Sequence, residues 1–187
     1  MSKLILASAS QRRNELLSEA GFLFEIIPSS IVEVFHSHLS AGENALKLAQ
    51  EKALSVGKEK EGLVLAADTL VSIRGEILGK PKGPRDAIQM LQKLSNTTHE
   101  VITAFALFHT HYGKMISEAD IAHVTFRPLS AGEIKKYVKD YQPFDKAGGY
   151  AIQEIKDGFV SSLKGYPSTI MGLPMEILIP YLKEFLL

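Results

Sequence analysis

Short apolar or β-rich runs recur along the chain and are separated by stretches in which apolar residues return at helical spacing. The runs Lys3 to Ala7, Phe22 to Ile27, Leu63 to Ile73, Glu76 to Leu78, His99 to Thr110, Met115 to Arg127 and Phe159 to Leu163 predict strands. Arg74-Gly75 and Tyr112-Gly113 are the turns that fold two of these pairs into hairpins. Helices are predicted from Gln11, from a Ser40-Ala41-Gly42-Glu43 capping box to about Val56, from Pro84 to Leu94, and from a second capping box, Ser130 to Glu133, to near Tyr141. A last helix follows Gly172-Leu173-Pro174. The flanks of the two identical capping boxes share nothing else, so they read as a reused helix start and not as an internal repeat. Pro28 to Leu39, Gly79 to Gly83 and the glycine-punctuated Asp145 to Gln153 are the irregular segments. This order of elements predicts an α/β protein with a mixed, twisted sheet and flanking helices. Nothing resembling a linker divides it, so residues 1–187 are expected to form one domain.

Composition narrows the partners. Hydrophobic residues make up 45% of the 187, ample for a packed core. Lys plus Arg equals Asp plus Glu at 21 each, so no global field attracts nucleic acid or an anionic membrane, and an anionic ligand must be met locally. The absence of cysteine excludes disulfides, thiolate catalysis and Cys-ligated metals. No apolar run approaches the roughly 18 residues of a membrane span, and no basic-then-apolar leader opens the chain. A soluble cytoplasmic protein is expected.

Some charged residues stand where apolar ones are predicted. Asp68 follows five apolar residues within a strand, where an unpaired carboxylate would cost several kcal/mol. It therefore either marks the strand's carboxyl end or has a cation beside it, and Thr69-Leu70-Val71 continues the strand. Lys52 shares a helical face with Ala45, Leu48, Ala49, Ala53 and Val56, either snorkelling to water or reaching an interior phosphate. In the second case an apolar replacement is expected to leave stability unchanged or raise it. Arg13 lies on the stripe of Leu16, Leu17 and Ala20. It belongs to Ser8-Ala9-Ser10-Gln11-Arg12-Arg13, where hydroxyls lead into a helix N-terminus and two guanidiniums follow. That is either an ordinary N-cap at Ser10 with solvated arginines or a phosphate grip. Lys80, between Gly79 and Pro81, adds a further cation, and Glu33 and Asp68 are carboxylates able to hold a hard divalent ion. No phosphate-binding glycine motif and no Gly-x-Ser-x-Gly elbow occurs. The six histidines lack zinc spacing, and His109-Thr110-His111 is expected at the surface.

Together these residues resemble the Maf family of nucleoside triphosphate pyrophosphatases. The resemblance runs through Leu6 to Leu17, Glu33, Glu51-Lys52-Ala53, Ala67-Asp68-Thr69, Gly79-Lys80-Pro81, Leu94-Ser95 with Thr98-His99, Asp145 to Gln153, and Gly172-Leu173-Pro174. It implies a fold akin to that of the inosine triphosphate pyrophosphatases, with two lobes around a deep cleft. It also implies metal-dependent cleavage of a nucleotide to its monophosphate and pyrophosphate. On that basis Asp68, Lys52 and Lys80 are catalytic; Ser8, Arg12, Arg13, Thr69 and Gln153 bind substrate; and Glu33 with Asp68 holds Mg²⁺ or Mn²⁺. The partner is a nucleoside triphosphate, and a homodimer is left open.

Within the family, Arg12, Thr69 and Gln153 match the subgroup that acts on dTTP and UTP, modified pyrimidine nucleotides included, and a Gln amide can pair with the O4 and N3–H edge of a pyrimidine. Four positions depart from the family pattern: Gln11 for Pro, Val32 for an acidic residue, Asn96 for Gly as a left-handed turn residue, and Tyr166 to Met171, which is closer to the purine-type subgroup. The alternatives are therefore a pyrophosphatase for 7-methyl-GTP or other non-standard purine triphosphates, and a non-catalytic nucleotide-binding inhibitor of septum formation.

Overall fold

The computed structural model describes residues 3–155 and 158–186. The predicted strands form one sheet: β1 (Leu4–Leu6), β2 (Phe24–Ile26), β3 (Leu63–Ile73), β4 (Glu76–Leu78), β5 (Thr98–His109), β6 (Lys114–Phe126) and β7 (Val160–Lys164). Their order is β2-β1-β3-β5-β6-β7, with β4 on β3. β1 runs parallel to β2 and β3, and the remaining pairs are antiparallel, giving the mixed sheet expected. The predicted helices appear as α1 (Gln11–Glu19), α2 (Ala41–Gly57), α3 (Pro84–Leu94) and α4 (Ala131–Tyr141), followed by two short ones that periodicity did not signal, α5 (Ile152–Ile155) and α6 (Pro167–Met171), and by α7 (Met175–Leu186). Both capping boxes form: Ser40 and Ser130 each accept from the backbone three residues on, and Glu43 and Glu133 reach back. Asn96 takes a left-handed conformation at φ 56°, as its replacement of Gly requires.

Alternation along β3 assigns its faces. Val64, Ala66 and Leu70 pack against Ala45, Ala49 and Ala53 of α2, whereas Leu63, Leu65 and Ala67 pack with Leu17 of α1 and Leu178 and Leu182 of α7. A third core, with Val71, Ile73, Leu91, Val101, Phe126, Ile134 and Val138, lies under α3 and α4. Two lobes result, and β3 and β5 contribute to the cores of both.

Between the lobes the sheet has an opening. β1 pairs with β3 only at Leu63–Leu65, and β4 pairs with it only at Val71–Ile73. Among the described residues no strand covers Ala66 to Leu70 on that side, although β5 covers the other without a break. The chain leaving β1 turns there into α1, so a helix N-terminus faces the exposed stretch of β3 across a cleft of about 780 Å³.

Candidate active site

Every residue given a role by the sequence analysis lines this cleft: Ser8, Arg12, Arg13, Glu33, Lys52, Asp68, Thr69, Lys80 and Gln153. They arrive from six separate segments, and the opening beside β3 explains how they meet. Asp68 and Thr69 point to opposite faces of one strand, yet without a neighbouring strand both border the same space.

On the α2 face, Asp68 lies in mid-strand, 5% exposed, with a cation beside it, which is the second of the two readings open to it. That cation is Lys52. Its side chain is 12% exposed, and its ammonium donates to Glu33 Oε1 at 2.7 Å and to Asp68 Oδ1. Lys52 therefore neither snorkels nor stands alone before a phosphate; it joins two carboxylates. Lys80 adds a longer contact, 3.4 Å to Glu33 Oε2. Burial pushes the Asp68 carboxyl above its ordinary value, against the pull of Lys52 and Arg13. Burial raises Glu33 too, but the hydrogen bonds and charges of Lys52 and Lys80 outweigh it and hold that carboxyl below the usual range. The two acids are thus pushed apart, one toward proton acceptor and one toward permanent anion.

Glu33 sits on the irregular segment after β2, and its position depends on a residue that periodicity passes over. Asn44, fully buried in the first turn of α2, accepts from His36 N at 2.8 Å and donates to the carbonyls of His36, Leu39 and Ser40 at 3.0 to 3.1 Å. One amide thereby adds to the single backbone bond, Leu39 N to His36 O, that ties the end of this segment among the described residues.

On the other face, Ser10 occupies the N-cap position of α1 without a side-chain cap bond, and the first turn carries no acidic residue. The ordinary N-cap reading is thereby set aside: the helix's first N–H groups remain open to an anion. Ser8 Oγ accepts from Ser10 N at 3.2 Å and from Arg13 Nη1 at 3.0 Å. Arg13 also donates from Nε to Gly172 O at 2.7 Å and from Nη2 to Thr69 Oγ1 at 3.2 Å. This is the partner its place on an apolar stripe demanded. Its remaining N–H groups are left for a ligand. Arg12 keeps a buried Nε without a hydrogen-bond partner among the described residues. Gly172 takes φ +106°, and a Cβ there would crowd Thr69 Oγ1 at 3.2 Å, so glycine closes this corner without backbone strain or a push on Thr69.

Gln153 is exposed on α5, in the wall that also contributes Asp145, Lys146 and Tyr150. All three lie in the Asp145 to Gln153 stretch that carries the resemblance, but none had been given a role. Asp145 is raised by burial but held below the usual carboxylate range by Lys146 and, more weakly, by Arg12. Tyr150 shares a 2.6 Å hydrogen bond with buried His99, whose pKa burial lowers to about 4. His109 is a correction: expected at the surface, it is buried beside the rings of Tyr112 and Phe185.

Glu33 and Asp68 offer acceptor-only oxygen donors to one cavity and so fit a hard divalent cation. The described residues contain no group of three or more metal-ligating side chains. The rest of such an ion's shell would have to come from a ligand's oxygens and from water.

The Maf-like protein family model matches residues 3–185. The chain is 38% identical over 186 residues to a dTTP/UTP pyrophosphatase of Desulforamulus reducens, covering 99% of this chain and 97% of that protein. It is 43% identical over 186 residues to a dTTP/UTP pyrophosphatase of Aquifex aeolicus, covering 97% and 95%. Among solved structures, a HAM1 protein from Coxiella burnetii matches with a TM-score of 0.54 at 17% identity, over 98% of this chain and 100% of that one, a likeness of fold alone.

Proposed function

This chain belongs to the Maf-like protein family, and from that premise we propose that it is a nucleoside triphosphate pyrophosphatase. It cleaves dTTP and UTP to the monophosphate and pyrophosphate with the help of a divalent cation. The observation that carries the reading is the Lys52 bridge, a buried ammonium joining Glu33 and Asp68 in the same cleft as an open helix N-terminus and two guanidiniums. The names of relatives matched over nearly the whole chain supply the reaction and the bases. Soluble nucleotides as substrates support work in the cytoplasm. No helix among the described residues is long and apolar enough to cross a membrane.

In this mechanism Asp68 takes a proton from water, and a carboxylate held above its ordinary pKa by burial is the stronger base for that task. The water oxygen bonds to the α-phosphorus, the bond from that phosphorus to the bridging oxygen breaks, and pyrophosphate leaves with the bridging oxygen. Ser8, Arg12, Arg13 and the first N–H groups of α1 hold the β- and γ-phosphates. Lys80, 55% exposed at the cleft mouth, offsets the charge that grows on the leaving group. Glu33 keeps Lys52 from closing onto Asp68 alone. Mg²⁺ or Mn²⁺ held by Glu33 and Asp68 would supply Lewis acidity toward phosphate oxygens and a more acidic bound water.

For the base, the Gln153 amide both donates and accepts, matching the O4 and N3–H edge of a pyrimidine. A second reading has one observation in its favour: Ile170 and Met171 of the purine-like segment also line the cleft. Pyrophosphate release from UTP, dTTP, GTP, ATP and 7-methyl-GTP, with metal omitted and restored, tests both. UTP and dTTP should give the highest kcat/KM, only with metal, and Gln153→Glu should depress those two selectively. A preference for 7-methyl-GTP moves base choice to the α6 segment. Binding without release from any triphosphate overturns the reaction and leaves the inhibitor reading.

A further inference from the structure

A polar row crosses the sheet beside Arg13. Thr69 on β3 stands directly opposite Thr103 on β5, and Thr103 directly opposite Asp120 on β6. α6 closes over this row. Thr103 Oγ1 donates to the Thr169 carbonyl at 2.6 Å, and Thr169 Oγ1 donates to Asp120 Oδ2. Thr103 and Thr169 are both 0% exposed, so water supplies no alternative partner. The hydroxyl oxygens of Thr69 and Thr103 are 2.9 Å apart.

The direction of that last bond follows from counting protons. A hydroxyl has a single proton and a carbonyl can only accept, so the Thr103 proton is committed to Thr169 and Thr103 can only accept from Thr69. The Thr69 proton is committed in turn. What Thr69 presents on its other side is a lone pair, and Arg13 Nη2 lies 3.2 Å from it. Arg13 Nε closes the circuit on Gly172, the residue that ends α6.

We propose that Thr103 and Thr169 are positioning residues for Arg13: they order the protons of the row so that Thr69 is an obligate acceptor, and Thr69 acts on the substrate through the guanidinium it holds. This rests on the reading above that Arg13 grips the triphosphate. The matching of Thr69 to pyrimidine-type relatives then reflects how Arg13 is set, and not a hydrogen bond from Thr69 to the base.

Thr103→Val keeps the shape of a β-branched residue and removes the junction of the row. With UTP it should lower kcat/KM about tenfold, the scale of one lost hydrogen bond, and Thr103→Ser should restore it. In an Arg13→Lys background Thr103→Val should have no further effect, because a single ammonium cannot span Ser8, Thr69 and Gly172. Wild-type kcat/KM in folded Thr103→Val, or an equal loss in both backgrounds, overturns the proposal. Urea midpoints of the same proteins give a readout independent of catalysis: the two substitutions should be non-additive, and additive shifts overturn the row. If the wild type releases no pyrophosphate, the functional reading fails while this unfolding cycle still decides the row. Thr69→Val replaces Arg13→Lys should the latter not fold, since it cuts the circuit between the same groups.

Discussion

At the scale of single residues, the site sets charge against burial, and the two acids should respond differently to change. Asp68→Asn should lower kcat at least about a hundredfold, the effect of losing a positioned base. The melting temperature of this variant should hold or rise, because the folded state no longer shields a carboxylate that burial disfavours. Near-wild-type turnover in the folded variant would remove Asp68 from its role. Lys52→Met corrects an expectation. Judged from its apolar helical face alone, the substitution should be harmless to stability, but the ammonium is the shared partner of Glu33 and Asp68, so its loss leaves buried Asp68 without its ion-pair partner and Glu33 with only the longer Lys80 contact. Asp68, already raised by burial, would then hold its proton still more tightly folded than unfolded. A group with a raised folded pKa favours the fold at low pH and loses that contribution as pH rises through the folded value. Urea midpoints of Lys52→Met should therefore fall below wild type at pH 8, with the gap narrowing toward pH 5. A gap of constant size would show that Lys52 contributes packing and not charge. The acid limb of the wild-type kcat/KM profile should also lie above the ordinary Asp range.

At the scale of elements, the strands and long helices were legible because each carries its own signal: β3 and α3 have the predicted boundaries, and both capping boxes form as read. Asp68, Lys52 and Arg13 were legible for the opposite reason, as charges on apolar faces. The short α5 and α6 were not, since helices of four and five residues offer too few turns for periodicity to register. Nor was the row of Thr69, Thr103 and Asp120, because a threonine in a strand looks like any β-former until cross-strand register is known. Asn44 was missed in the same way: a polar residue in a first helical turn is unremarkable in sequence, yet it is the sole side chain bonded to the backbone of His36 and Leu39 among the described residues. Asn44→Ala should cost about 1 to 3 kcal/mol in urea unfolding, as the hydrogen bonds of a fully buried amide to the backbone of this loop are lost. It should also lower kcat/KM by loosening Glu33, whereas a stability loss with unchanged activity would uncouple this loop from the site.

At the scale of the whole molecule, β3 and β5 feed the cores of both lobes without interruption. Neither lobe can come apart while the other keeps its sheet, so calorimetric and van't Hoff enthalpies of unfolding should agree. Two resolved transitions would show the lobes to be independent. This continuity also bears on how the physiological ligand is found. A compound bound at the opening beside β3 stabilises every part of a molecule that melts in concert, by about 2.7 kcal/mol when present at a hundred times its dissociation constant. Melting temperature thus becomes a catalysis-free reporter for the cleft, able to rank nucleotides, pyrophosphate and metals even for a variant such as Asp68→Asn in which turnover has been removed.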